Sequence, residues 1–208
     1  MAYSDFDLEK VTTDFALARE ESLDLFAGVS PVEPSAHLRE WLAEFAPLAI
    51  GIGSERGRGE AIIFPVLAEA KRRATGPVSV VSSVTFDVDK VRGLTGVCDY
   101  LLTRSRDLYF VAAPVFAAVE AKREDVVPGL GQCAAEMVAV RIFNEKKGHP
   151  LAAVYGCSTS GSVWRFLKLE GDTLFIDKTE YHLSNLSTIL GILVSIAGSA
   201  PSVATATP

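Results

Sequence analysis

The sequence is short of positive charge. Its 20 Lys and Arg residues are outnumbered by 26 Asp and Glu residues, which gives the 208-residue chain a formal net charge of −6. Phosphate binding depends on clustered Lys and Arg side chains. A broadly basic surface is therefore excluded, and any contact with nucleic acid must use a local basic patch.

Cysteine is also sparse, and no long apolar run is present. Cys98, Cys133 and Cys157 are odd in number, and their spacing matches neither a zinc site nor a disulfide framework. Free thiols are typical of a reducing compartment. The most apolar stretch, 189–197, is shorter than the ~20 residues that span a bilayer, and residues 1–10 lack an apolar signal core. We expect a soluble, cytoplasmic protein with no membrane partner.

The chain is rich in apolar residues, which make up 49% of it, enough for an ordered core. Apolar spacing predicts a helix at 37–45 capped by Ser35, a helix that starts near Ala61 and stops at Gly76, a helix at 125–147 and a last helix that ends near Gly198. The segment 51–59 reads as a loop. Strands are predicted at 77–86, 96–103, 109–122 with a break at Pro114, 151–157, 162–169 and 173–176.

This order of elements predicts an α/β fold. We expect a single domain over 1–198, with a mixed β-sheet flanked by helices and a core at about 37–176, followed by a flexible tail at 199–208.

A charged pair ends the most apolar predicted strand. Alternate strand residues share a face, so Glu120 and Lys122 project together while Ala121 points away. The apolar run before them indicates a strand buried on both faces, where unpaired charge is costly. Asp99 also interrupts an apolar strand, and a hairpin between the two strands would bring Asp99 close to Glu120. Two adjacent carboxylates favour a hard cation such as Mg²⁺ or Mn²⁺, with the Ala121 carbonyl as a further donor.

Four polar elements follow one another along the chain: Glu60, Asp99 in Gly-Val-Cys-Asp-Tyr, Glu120-Ala121-Lys122, and Gln132 on the following helix. This ordered set resembles the PD-(D/E)XK nuclease superfamily. The resemblance covers about 60–143 and implies a restriction-endonuclease-like core. It also implies metal binding by the acidic residues, catalysis by Lys122, and supporting roles for Glu60 and Gln132. Residues 129–137 are similar to a group of uncharacterised bacterial proteins, many of them cyanobacterial. One departure is Cys98, which stands where the superfamily often has proline.

Plainer interpretations remain open for each residue. Glu120 and Lys122 would also suit a solvent-facing ion pair, Asp99 a turn, and Glu60 the positive end of a helix dipole. Gln132 and Glu136, four residues apart, would suit a solvated helix face, which is the expected role of Glu136.

Arg56, Arg58 and Arg123 are the best candidates for a phosphate path.

Three functional hypotheses follow. The first is a Mg²⁺- or Mn²⁺-dependent nuclease that acts on DNA, or less readily on RNA, with metal-activated water and assistance from Lys122. Cutting both strands of a duplex would require a homodimer, for which the helix at 183–197 is a candidate interface, although a plain core helix is the stronger expectation. The second hypothesis is a non-catalytic nuclease-like module that binds nucleic acid or protein. The third is an assembly protein whose polar cluster is an internal salt-bridge network.

Overall fold

The computed structural model describes residues 1–107 and 109–198; the predicted tail at 199–208 lies outside the described residues. Within them, seven strands are formed: β1 (Ala18–Glu20), β2 (Ser79–Thr85), β3 (Val97–Thr103), β4 (Val115–Ala121), β5 (Ala153–Thr159), β6 (Val163–Glu170) and β7 (Thr173–His182). The α-helices are α1 (Leu8–Asp14), α2 (Ala36–Ile52), α3 (Glu55–Arg58), α4 (Phe64–Arg73), α5 (Val127–Lys146) and α6 (Leu186–Gly198). Short helical turns occupy Tyr3–Asp5, Gly59–Ile63 and Leu183–Asn185.

All seven strands belong to one mixed sheet, in the order β1-β7-β6-β5-β4-β3-β2. The strand β4 pairs antiparallel with β3 and parallel with β5, and β1 pairs parallel with β7. Every residue of β4 is buried, as its apolar sequence predicted. The prediction of a single-domain α/β fold with a mixed sheet flanked by helices is confirmed.

Helices cover both faces of the sheet and define two apolar clusters. The buried residues of α2, α4 and α6 join one face, and those of α1 and α5 join the other. Tyr3, Phe6 and Val11 are buried against this second face, so apolar packing extends before residue 37. In α6, Ile189 and Leu193 are among the buried residues. This helix therefore belongs to the core, the stronger of its two expected roles.

Apart from Gly53 and Ser54, the segment 51–59 is helical, so the prediction of a loop there was wrong. Gly53 ends α2 in a left-handed conformation at φ 68°, and Ser54 at once caps α3 by accepting a hydrogen bond from the Gly57 amide at 3.0 Å. Glycine tolerates that conformation and serine is a favoured N-cap. One helix therefore ends where the next begins, and Glu60 lies in the π-helical turn that leads into α4.

Two smaller expectations can also be compared with the structure. Ser35 caps α2 through the Leu38 amide, which donates to its hydroxyl at 3.2 Å, as predicted. All three cysteine thiols are free and buried. Of the helices in the described part of the chain, none combines the length and apolar character needed to cross a membrane.

Candidate active site

The pairing of β3 with β4 brings Asp99 and Glu120 together. Tyr100 is opposite Val119 in the antiparallel register, so one step further along the two strands places Asp99 opposite Glu120. The Asp99 carboxylate also accepts a hydrogen bond from the Ala121 amide at 2.8 Å. The hairpin predicted from the sequence therefore forms, and it places the two acidic residues side by side.

The strand beside Asp99 carries an unusual backbone conformation. Ser83 lies in β2 between residues that pair with Tyr100 and Cys98, and its φ of 49° is left-handed. Such a conformation costs a non-glycine residue on the order of 1–3 kcal/mol. Because Ser83 and Asp99 line the same cavity, this strain is located at the candidate site.

A chain of polar contacts links the end of β4 to α5. The Lys122 ammonium donates to Glu120 in a close ion pair and to the Gln132 side-chain oxygen at 3.2 Å. The Gln132 amide in turn donates to Glu136 at 3.3 Å. Gln132 thus joins Lys122 to Glu136, and the structure brings together three of the predicted residues: Glu120, Lys122 and Gln132.

Both glutamates in this chain are deeply buried. Glu120 is 2% exposed and Glu136 is 0% exposed. Oε2 of each receives no hydrogen bond from a donor group among the described residues, and the two carboxyl groups lie within hydrogen-bonding reach of each other. Burial raises the pKa of Glu120 to about 8, and the charge of Asp99 adds to this, while Lys122 opposes it. Burial, followed by the charge of Glu120, raises the pKa of Glu136. The pair therefore favours a proton, or a cation in its place.

Lys122 keeps its charge in this environment. Burial lowers its pKa, but the negative charges of Glu120, Glu55 and Asp99 outweigh that effect, so that the pKa is raised overall. A raised pKa keeps the ammonium protonated at neutral pH. Lys122 is accordingly suited to stabilise negative charge, and less suited to accept a proton from water.

The expectation that Glu136 lies on a solvated helix face was wrong. The N-terminal segment covers the outer side of α5, and a Cβ on Gly131 would clash with the backbone of Asp7. With the sheet on one side and this segment on the other, 12 of the 20 residues of α5 are buried, Glu136 among them. The glycines at 129 and 131 were the sequence signal for such close packing.

An open cavity of about 680 Å³ adjoins Asp99 and the end of β4. Asp99, Ala121, Glu60 and Arg56 are among the residues that line it, together with Glu55, Gly59, Phe64, Ser82, Ser83 and Tyr100. Glu60 is exposed and paired with Arg56 at 2.9 Å. The cavity therefore unites Asp99, Ala121 and Glu60 from three separate segments of the chain.

The predicted metal donors do not all converge. Within residues 1–107 and 109–198, no three His, Cys, Asp or Glu side chains form a group that could hold a metal ion. Asp99 and Glu120 are the adjacent carboxylates, and Ala121, whose carbonyl is the third predicted donor, lines the cavity beside Asp99. Glu60 stands on the cavity wall, held by Arg56, rather than beside Glu120.

The three predicted phosphate contacts have different surroundings. Arg56 is exposed at the cavity, and Arg123 is exposed with its guanidinium close to Gly53. Arg58, in contrast, is 5% exposed and donates to the Ser160 carbonyl at 3.0 Å. A buried guanidinium that is already bonded to the backbone cannot meet a phosphate from solvent, so Arg58 is a structural residue.

Two residues near the site carried no functional prediction. Glu55 lines the cavity, and its charge acts on Lys122. Ser83 carries the left-handed backbone beside Asp99. The acidic first turn after the Ser54 cap was a local signal for Glu55, whereas nothing in the valine- and serine-rich strand signals the conformation of Ser83.

Comparison of the chain with known protein families, with curated proteins and with solved structures found no match. The functional interpretation therefore depends on the geometry of the site and on the residue pattern that resembles the PD-(D/E)XK superfamily.

Proposed function

We propose that this protein is a Mg²⁺- or Mn²⁺-dependent phosphodiester hydrolase that cleaves nucleic acid, with a core of the restriction-endonuclease type. One observation carries the proposal. Asp99, which lines an open cavity, lies opposite the buried Glu120 across β3 and β4, and the Lys122 ammonium is held against Glu120.

The donor atoms suit a hard divalent cation. Asp99, Glu120 and the Ala121 carbonyl would hold it, and all three offer oxygen, the ligand that Mg²⁺ and Mn²⁺ prefer. The buried Oε2 atom of Glu120 receives no hydrogen bond from a donor group among the described residues, and a cation would take the place of the proton that Glu120 shares with Glu136. When bound, the ion would supply Lewis-acid chemistry and an activated water.

The protein's own side chains would then position and stabilise the phosphate. Lys122, protonated and fixed by Glu120 and Gln132, would stabilise the negative charge that develops during hydrolysis. Arg56 and Arg123, both exposed, would contact flanking phosphates. The net charge of −6 restricts binding to this local patch.

The partners follow from this chemistry. DNA is the preferred substrate in the proposal and RNA the second, and cleavage of both strands of a duplex would require two copies of the chain. The free, buried thiols at 98, 133 and 157 fit a reducing cytoplasm.

The direct test is metal-dependent cleavage of single-stranded DNA, duplex DNA and RNA. We expect activity with Mg²⁺ or Mn²⁺ and none with EDTA. Asp99→Asn and Lys122→Ala should each lower the rate by about 10²- to 10³-fold, the usual loss when one charge-stabilising group is removed. Lys71→Ala, which removes an exposed lysine at the end of α4, serves as the control. Full activity in both site variants would refute the assignment.

A nuclease-like module that binds without cutting is the second candidate. It is favoured by the engagement of Lys122 with Glu120 and Gln132, a network that is also consistent with a purely structural role. Calorimetric titration with Mn²⁺ separates the candidates. Binding that Asp99→Asn weakens supports the enzyme, and an absence of binding supports the non-catalytic interpretations.

A further inference from the structure

A second, smaller cavity lies between α2 and α4. It has a volume of about 300 Å³, and its lining includes His37, Trp41, Phe64, Pro65 and Arg72. We call it the aromatic groove. This volume is at the lower end of the range for small-molecule sites. The groove therefore has the size for one planar group of nucleobase dimensions.

The aromatic groove is continuous with the candidate active site. Glu60 and Phe64 line both the groove and the cavity that contains Asp99. These two residues are one helical turn apart, so they form a common wall between the two cavities. A ligand whose phosphate is held near Asp99 could therefore extend directly over Phe64 into the groove.

The aromatic side chains of the groove are held in place and remain partly exposed. Trp41 is 36% exposed; its indole nitrogen donates to the Ala61 carbonyl at 3.0 Å, and its ring lies 4.4 Å from that of Phe45. Phe64 is 42% exposed and stacks on Tyr100. Rings fixed in this way lose little freedom when a ligand stacks on them.

We propose that the aromatic groove binds one unpaired nucleobase of the substrate strand, adjacent to the phosphate at Asp99. The inference rests on the proposed nuclease function and specifies its substrate as single-stranded or locally unpaired nucleic acid. A base stacked within a duplex has no free face to offer the groove, whereas an unpaired base can stack on Trp41 and Phe64. His37 at the groove adds a donor for base edges or for the sugar-phosphate backbone, while the Arg72 guanidinium beside it is bonded to Glu69.

The rest of α2 allows a protein ligand to be distinguished from a nucleobase. Leu48 and Ile52 are also exposed, at 60% and 76%, but they do not line the groove. A helical or peptide partner docked along α2 would cover Leu48 as well as Trp41. A single base in the groove would contact Trp41 and leave Leu48 untouched.

The test measures binding in EDTA, so that metal-dependent cleavage does not destroy the probe. The probes are a fluorescently labelled octamer of deoxythymidine and a labelled duplex of equal length, followed by anisotropy. Trp164 is fully buried, so quenching of intrinsic fluorescence by the octamer would report on Trp41. Phe64→Leu and Trp41→Leu remove the aromatic faces and keep apolar bulk, and Leu48→Ala is the matched control on the same helix.

We expect the octamer to bind more tightly than the duplex and to quench Trp41. Each leucine variant should bind the octamer about 5- to 150-fold more weakly, the usual loss for one stacked base, and Leu48→Ala should bind like the wild type. Unchanged affinity in both leucine variants, equal affinity for the duplex, or equal weakening by Leu48→Ala would overturn the proposal.

The same variants separate this inference from the nuclease assignment. If the wild type cleaves DNA and the leucine variants cleave single-stranded and duplex substrates at the same rates as the wild type, the groove proposal fails and the nuclease proposal stands. If the octamer binds through Trp41 and Phe64 but no metal produces cleavage, the groove proposal stands and the catalytic assignment fails.

Discussion

Replacing Glu120 by glutamine should stabilise the protein at alkaline pH while removing the proposed metal-dependent activity. The carboxyl group is 2% exposed, and burial followed by the charge of Asp99 raises its pKa from 4.5 to about 8. Below about pH 4.5 it is neutral in both the folded and unfolded chain. Between about pH 4.5 and 8 only the folded chain keeps the proton, so stability falls as the pH rises.

The size of the effect follows from this interval. At about 1.4 kcal/mol for each pH unit, charging Glu120 in the folded protein costs at most about 5 kcal/mol. The protonation of Glu136 is coupled to that of Glu120, so we expect a gain of roughly 2–3 kcal/mol for Glu120→Gln at pH 9 and almost none at pH 4. The amide oxygen can still accept a hydrogen bond from Lys122.

Glu69 provides a matched control with the opposite sign. It is 1% exposed; burial raises its pKa, but hydrogen bonds from Arg72, Arg73 and Ser35 outweigh that effect and bring the pKa to about 2. Its contribution to stability is present above about pH 4.5 and is lost as the pH falls towards 2. Glu69→Gln should therefore destabilise the protein at neutral pH by roughly 1–2 kcal/mol, and less as the pH is lowered.

The assay is urea unfolding of the wild type and both variants in EDTA at pH 4, 7 and 9, followed by circular dichroism. Adding Mn²⁺ at pH 7 should stabilise the wild type in proportion to ion binding and leave Glu120→Gln unchanged. This account of the buried carboxyl would be refuted if Glu120→Gln were less stable than the wild type at pH 9. It would also be refuted if the substitution changed the free energy of unfolding by the same amount at every pH.

Two further substitutions test the packing of α5 against the sheet. A Cβ on Gly129 would collide first with the Ser158 hydroxyl and would also come within 2.9 Å of the Lys122 side chain. Gly129→Ala should therefore displace both side chains and lower metal-dependent cleavage about 10-fold or more. Gly51→Ala, with open space around it, should keep activity, and the reverse ranking would contradict the proposed site. Asn144 is buried and bonds both the amide and the carbonyl of Val115, so Asn144→Ala should cost about 2–4 kcal/mol in urea unfolding. A decrease of less than about 1 kcal/mol in the free energy of unfolding would mean that water replaces the hydrogen bonds of the Asn144 side chain.

Local sequence patterns were sufficient for most of the framework. A segment rich in Val, Ser and Thr indicated β2, the segment that contains Asp99 was predicted as β3, the apolar run before Glu120 indicated a central strand, and Ser35 marked the start of α2. These features depend on neighbouring residues and on the period of the backbone, which the sequence displays directly. Because β3 and β4 are consecutive in the chain, a hairpin was the simplest connection between them. That hairpin predicted that Asp99 and Glu120 would lie close together.

The sequence by itself therefore determined the α/β class and the pairing of Asp99 with Glu120. Only the tertiary structure decided the exposure of the surrounding polar residues. Glu136 is buried because the N-terminal segment covers α5, and Arg58 is buried because the turn after β5 receives its guanidinium. Helical spacing indicates which residues share a face. Their burial depends on which distant segment packs against that face, and the local sequence does not indicate that contact.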